Sequence, residues 1–187
     1  MHDHRIIGIT GWKNSGKTTM VAALVSELTA RGFTVSTVKH AHHSFEIDQE
    51  GRDSWKHRKA GAKETALVSS RRWALMHELR DEDEPSLAEI LEKLAPCDLV
   101  IVEGFKRSSH PKIEMIRNTA SPSSRETPIW QGNETVIAIA SPDKQPDCPL
   151  PVFDPDAIGT IADFILDHLG LMKHDQTDNN PANVDAG

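Results

Sequence analysis

The chain has 187 residues, two cysteines and a net charge of −7, set by 21 basic and 28 acidic side chains. That length suits one domain with a proper core, and the acidic balance excludes general nucleic-acid binding. No apolar run is long enough for a bilayer, the first residues lack a signal-peptide core, and Cys97 and Cys148 have no metal-ligand spacing, so a reduced cytoplasmic protein with no membrane association is expected.

In chain order, residues 5–10 read as a buried strand, and the run Gly11-Trp12-Lys13-Asn14-Ser15-Gly16-Lys17-Thr18 follows it. This run fits G-x-x-x-x-G-K-[ST]. Residues 19–31 then repeat Met20, Leu24 and Leu28 at helical spacing, with Val21 and Val25 beside them. A strand, a glycine loop and a helix N-terminus together form an anion cradle: backbone N–H groups and the helix dipole face phosphates. The predicted nucleotide-binding residues are Gly11, Trp12, Lys13, Asn14, Ser15, Gly16, Lys17, Thr18 and Thr19. Lys17 is expected to reach the terminal phosphates and the Thr18 hydroxyl to ligate magnesium.

Gly32 ends the first helix, and residues 33–39 are a second strand. Residues 40–63 are polar and rich in histidine, with one short helix at 53–60 stopped by Gly61. Residues 65–69 and 73–79 are predicted to form a hairpin through Ser70-Arg71-Arg72. Ser86 and Glu89 have the capping-box spacing, and Leu87, Ile90, Leu91 and Leu94 give that helix its buried face. Residues 98–102, 113–117 and 135–140 are further strands, with a short one at 151–153. Asp154-Pro155 is expected to open the last helix, whose core stripe is Ile158, Ile161, Ala162, Ile165 and Leu169, with Gly170 at its end. Residues 1–170 therefore form one domain, and the polar residues 171–187 a disordered tail. Alternating strands and helices define an α/β fold, a mostly parallel sheet with helices on both faces, whose ligands bind beyond the C-terminal strand ends.

That rule gathers four segments into one cleft: the phosphate loop, the His-rich segment, Glu103-Gly104-Phe105-Lys106 and Ser141-Pro142-Asp143. Glu103, at the end of an apolar strand, is the candidate magnesium carboxylate, and Gly104 lets backbone approach the γ-phosphate. Lys17 and Glu103 are the candidate catalytic pair. Asp98 lies at the wrong end of that strand and marks the turn into it. Asp48 has two readings, a switch carboxylate in the magnesium shell or a plain loop acid. Lys39-His40-Ala41-His42-His43 invites a metal reading, but no cysteine is near and adjacent histidines do not easily share one ion. A wall for an anionic substrate, helped by Arg52, Lys56 and Arg58, is the competing reading. Trp12 either offers a contact surface or packs over its own loop, and Lys13 stands one place late for the lysine that some dimeric relatives of this loop send to a partner's nucleotide. Asp143 stands where an acid would accept hydrogen bonds from guanine, although Ser141-Pro142-Asp143-Lys144 also describes a simple turn.

Gly11–Thr19 as a block, Val38-Lys-His-Ala-His-His43, Phe45-Glu-Ile-Asp48, Gly51-Arg-Asp-Ser54, Arg58-Lys-Ala-Gly-Ala62 and Val100-Ile-Val-Glu-Gly-Phe-Lys106 resemble the molybdopterin-guanine dinucleotide biosynthesis protein B (MobB) family. Pro111-Lys-Ile-Glu-Met-Ile-Arg117 and Val136-Ile-Ala-Ile-Ala140 look like its remaining blocks. The usual acid run after the family's late strand is replaced by Ser141-Pro142-Asp143. The resemblance implies a P-loop NTPase fold and a GTP- and magnesium-binding, weakly hydrolytic adapter. It also implies a homodimer that assists the molybdopterin guanylyltransferase, which joins GMP to molybdopterin. The basic segment 40–63, with Lys106, would meet molybdopterin or that enzyme. Two other classes use the same loop. A small-molecule kinase needs an arginine-bearing lid, for which Arg71-Arg72 is the only close pair; a nickel-inserting GTPase metallochaperone needs a Cys/His metal motif, and neither cysteine has a suitable setting.

Overall fold

In the computed structural model, which describes residues 4–41, 45–117, 127–145 and 147–172, six strands run parallel in one sheet. Across it lie β2 (Val35–Lys39), β5 (Leu99–Glu103), β1 (Ile6–Gly11), β6 (Lys112–Met115), β7 (Val136–Ala140) and β8 (Val152–Phe153). All five pairings are parallel, so every C-terminal strand end lies on one edge of the sheet. The expected hairpin forms separately, from β3 (Glu64–Val68) and β4 (Trp73–His77). The α-helices among the described residues are α1 (Lys17–Ala30), α2 (Asp53–Lys59), α3 (Leu87–Glu92) and α4 (Ile158–His168). The predicted tail lies outside the described residues from 173 onward.

Side-chain alternation along each strand divides the sheet into two faces. On one, Ile7, Ile9, Leu99, Ile101, Ile113 and Met115 pack under Met20, Leu24 and Leu28 of α1 and Ile161, Ala162, Ile165 and Leu166 of α4. Each such side chain contributes roughly 1.5–3 kcal/mol when fully buried. Arg31 ties the two helices together, donating to Glu27 at 2.8 Å, Asp163 at 2.5 Å and the Gly159 carbonyl at 3.1 Å. On the other face, Val38, Val100 and Val102 meet Leu87, Ile90, Leu91 and Leu94 of the α3 region, which remain only partly buried. The capping box holds: the Ser86 hydroxyl accepts from the Glu89 amide, and Glu89 accepts from the Ser86 amide at 2.8 Å.

Two features depart from the sequence reading. Asp154 does not open α4. Its carbonyl accepts from the Ala157 amide and its side chain from the Asp156 amide, closing a separate turn that contains Pro155, and the helix begins three residues later. The second face also has a charged interior where β6 crosses it. Lys112 and Glu114 are fully buried. The Lys112 ammonium donates to the Ser108 and His110 carbonyls and to the Thr135 hydroxyl, and burial brings its pKa down to about 8. Glu114 accepts from the Ile129 and Trp130 amides at 2.8 and 2.9 Å, while burial raises its pKa. The sequence reading begins this strand at residue 113, so it includes Glu114 as an ordinary strand position and leaves Lys112 outside. Their hydrogen-bond partners, supplied by the loops on either side of β6, are what make burial tolerable.

Candidate phosphate and metal site

The loop after β1 is shaped by backbone conformations that favour glycine. Gly11 has φ +142° and Gly16 φ +99°, and a Cβ at Gly11 would come within 2.5 Å of the Met115 carbonyl oxygen. Asn14 is also left-handed, at φ 63°. Gly16 is the N-cap of α1 and makes no side-chain cap hydrogen bond, and the head of such a helix attracts anions. The Lys17 ammonium folds back to the Trp12 carbonyl at 2.6 Å. Ser15 is buried, and its hydroxyl finds no partner among the described residues.

Glu103 shares the α1 face of β5 with Leu99 and Ile101, which brings it to the first turn of that helix. The Thr18 hydroxyl donates to it at 3.1 and 3.3 Å. This contact joins two of the sequence candidates into one constellation. A third member comes from β2, where Lys39 is the direct lateral neighbour of Glu103 in the strand register. The Lys39 ammonium lies 3.0 Å from Glu103 and 3.2 Å from the Thr18 oxygen. A hydroxyl and a carboxylate are hard oxygen donors, and a cationic group already sits on both, so this pair fits a magnesium ion. Sequence reading names Lys39 only as the start of the histidine cluster. The available clue is that it ends β2 as Glu103 ends β5, which bears on function only once the two strands are known to pair.

The segment after β2 is only partly as expected. His42 and His43 lie outside the described residues. His40 hydrogen-bonds Glu84 at 2.6 Å and packs its ring 4.8 Å from Phe105. Gly104 permits this approach, because a Cβ there would meet the His40 Cβ at 2.9 Å, and its φ is +96°. Arg58 is no open wall for an anion. It is held by Glu46, Asp48 and Glu78, which together keep its pKa above the usual range. Asp48 is 6% exposed in that ion pair, and the Arg58 guanidinium is the first cause of its lowered pKa. Among the described residues, no group of three or more His, Cys, Asp or Glu side chains is arranged to hold a metal ion. Asp98 marks the turn into β5 by accepting from the Thr34 amide and hydroxyl, both at 2.6 Å.

Trp12 is 37% exposed and is contacted by residues distant in the chain. The Lys106 ammonium stands 4.1 Å from the centre of its ring, and the indole N–H donates to the Thr127 carbonyl at 3.0 Å. On the far side of the loop, Gly16, Thr19, Met20, Arg117, Pro155 and Asp156 line a cavity of about 130 Å³. Arg117 is a second cation that the sequence leaves unassigned; it lies two residues beyond β6 and approaches Gly16. Beyond β7 and β8, a larger pocket of about 390 Å³ is lined by residues 141–145 with Val152, Phe153 and Asp154. Asp143 is both a turn residue and a wall of this pocket, its amide donating to the Ser141 hydroxyl at 3.1 Å.

A parallel sheet with a glycine-rich loop between β1 and α1, and an acid ending the neighbouring β5, defines the P-loop class of α/β proteins. The chain belongs to the family described as molybdopterin guanine dinucleotide synthesis protein B, whose profile matches residues 6–142. It is 35% identical over 164 residues to the molybdopterin-guanine dinucleotide biosynthesis adapter protein of Escherichia coli (strain K12), covering 87% of this chain and 91% of that protein. The same-named protein of Haemophilus influenzae is 38% identical over 165 residues, covering 86% of each. Among solved structures, a molybdopterin-guanine biosynthesis protein B superposes with a TM-score of 0.66 at 30% identity, over 88% of this chain and 99% of that one. The Bacillus subtilis MobB structure gives 0.67 at 25% identity, over 85% and 96%.

Proposed function

We propose that this chain is a GTP- and magnesium-binding adapter in molybdenum cofactor assembly, acting with the guanylyltransferase that joins GMP to molybdopterin. The observation that carries this reading is the contact of Thr18 with Glu103 at the head of α1, in a chain that belongs to an adapter family. In the proposed complex, the first amides of α1 and Lys17 bind the phosphates, and Thr18 with Glu103 holds the metal. Bound magnesium would neutralise phosphate charge and fix the oxygens it touches. Asp143 and the pocket beyond β7 would receive the guanine base, with Thr19 and Arg117 beside the sugar and the inner phosphates. Glu103 is engaged by Thr18 and Lys39, which suits a metal-holding acid better than a proton-abstracting base, so we infer slow hydrolysis at most.

The hairpin supports the homodimer in this proposal. Its outer face pairs Ala66 with Leu75 and Val68 with Trp73, and Val68 is 81% and Trp73 72% exposed. A two-stranded ribbon carrying such a face gains stability by covering it, and a second copy would cover both faces at once. A place of action in the cytoplasm accords with two free cysteines; among the described residues, no helix is long and apolar enough to cross a membrane.

Calorimetric titration with GTP and ATP in the presence of magnesium tests the site. GTP should bind the more tightly, and Lys17→Ala should weaken it at least tenfold, about 1.4 kcal/mol. Unchanged affinity in a folded Lys17→Ala protein would remove the loop from the reading. A reconstituted guanylyltransferase reaction whose yield is indifferent to this chain would remove the adapter role.

A further inference from the structure

We propose that Lys39 is a built-in counter-cation of the metal site, so that magnesium enters only together with a nucleotide. The inference rests on the proposed GTP and magnesium site and deepens it. Lys39 and Glu103 are lateral partners on adjacent parallel strands, and both side chains project to the α1 face. The ammonium sits 3.0 Å from one Glu103 oxygen and 3.2 Å from the Thr18 oxygen, on the same two groups that fit the metal. An ammonium and a magnesium ion compete for these oxygens, because two cations held so close repel each other. Thr18 and Glu103 together offer a single negative charge, and Lys39 already balances it. A free divalent ion therefore gains little by displacing the lysine. A nucleoside triphosphate adds several negative charges at the loop and tips the exchange.

The geometry also makes the exchange inexpensive once phosphate is present. The Lys39 side chain is 57% exposed, against 11% for Glu103, so the ammonium can leave for water while the acid stays in place. A half-exposed ion pair is a weak one. The strand itself is pinned, since the His40 amide donates to the Glu103 carbonyl at 2.9 Å. Exchange is thus a side-chain movement that leaves the sheet intact.

The test uses the full chain as wild type, Lys39→Met, Lys39→Arg and Lys39→Met combined with Glu103→Gln. Magnesium chloride alone should scarcely move the wild-type melting temperature, whereas Lys39→Met should gain a clear upward shift. In the presence of GTP, the magnesium concentration for half-maximal nucleotide binding should fall about two- to fivefold in Lys39→Met, the range expected for losing a half-exposed competing ion pair. Lys39→Arg should behave as wild type, and the gain should vanish in the double variant. Wild-type magnesium responses in folded Lys39→Met would overturn the proposal. So would a loss of GTP affinity at saturating magnesium with an unchanged half-point, since that marks a phosphate contact instead. Failure of the wild type to bind GTP at any magnesium concentration would sink the nucleotide reading, and the magnesium-alone melts would still decide the role of Lys39.

Discussion

His110 should make this fold acid-sensitive, and the size of the effect follows from its surroundings. The ring lies against Gly8, where an added Cβ would come within 2.6 Å of Nε2 and 2.8 Å of Lys112 Cγ. Neither ring nitrogen has a hydrogen-bond partner among the described residues. Burial first, and the Lys112 charge second, lower its pKa from 6.5 to about 4. Below pH 6.5 the unfolded chain therefore takes up a proton that the folded ring refuses, and stability falls as the pH drops towards 4. Carrying that difference through proton linkage gives roughly 3 kcal/mol, or about 6–12 °C in melting temperature for a chain of this size. Glu114 works in the opposite sense, because its raised pKa lets the folded state keep a proton more readily. The comparison must therefore be with His110→Phe, which fills the same space without titrating. Thermal melts at pH 7, 6, 5 and 4 should show the wild type losing more melting temperature than His110→Phe as the pH falls. Parallel pH profiles for the two would refute the assignment to the ring.

Two further predictions concern the proposed site. Glu103→Gln keeps the shape but removes the charge beside Thr18, so nucleotide binding should depend less on added magnesium and any hydrolysis should decline; wild-type magnesium dependence and turnover would place the metal acid elsewhere. Asp143→Ala should narrow the gap between GTP and ATP affinities by about three- to thirtyfold, the cost of a lost acceptor for the guanine donors. Equal discrimination by mutant and wild type, measured in the same calorimetric titration, would leave Asp143 a turn residue only.

The sequence by itself determined whatever depends on near neighbours in the chain. The phosphate loop, the helix that follows it, the Ser86–Glu89 capping box and the alternation of strands with helices all arise from spacings of a few residues. Such patterns act through local hydrogen bonds and side-chain periodicity, which a single segment carries wherever it is placed. Glu103 was legible for the same reason, as an acid ending an apolar strand. Lys39 was not, because its meaning depends on β2 lying beside β5 in a register that sets it against Glu103. Arg58 read as an available cation until the fold brought Glu46, Asp48 and Glu78 around it. Glu114 reads as a member of an ordinary strand and Lys112 as the residue before it, and only the loops that cover them show why charges are tolerated there. The start of α4 differs from the sequence reading because a turn at Asp154 and a helix cap present the same residues, and here the turn forms. Strand order and register are long-range choices made by packing the whole core, so the electrostatic partners that depend on them emerge only in the folded molecule.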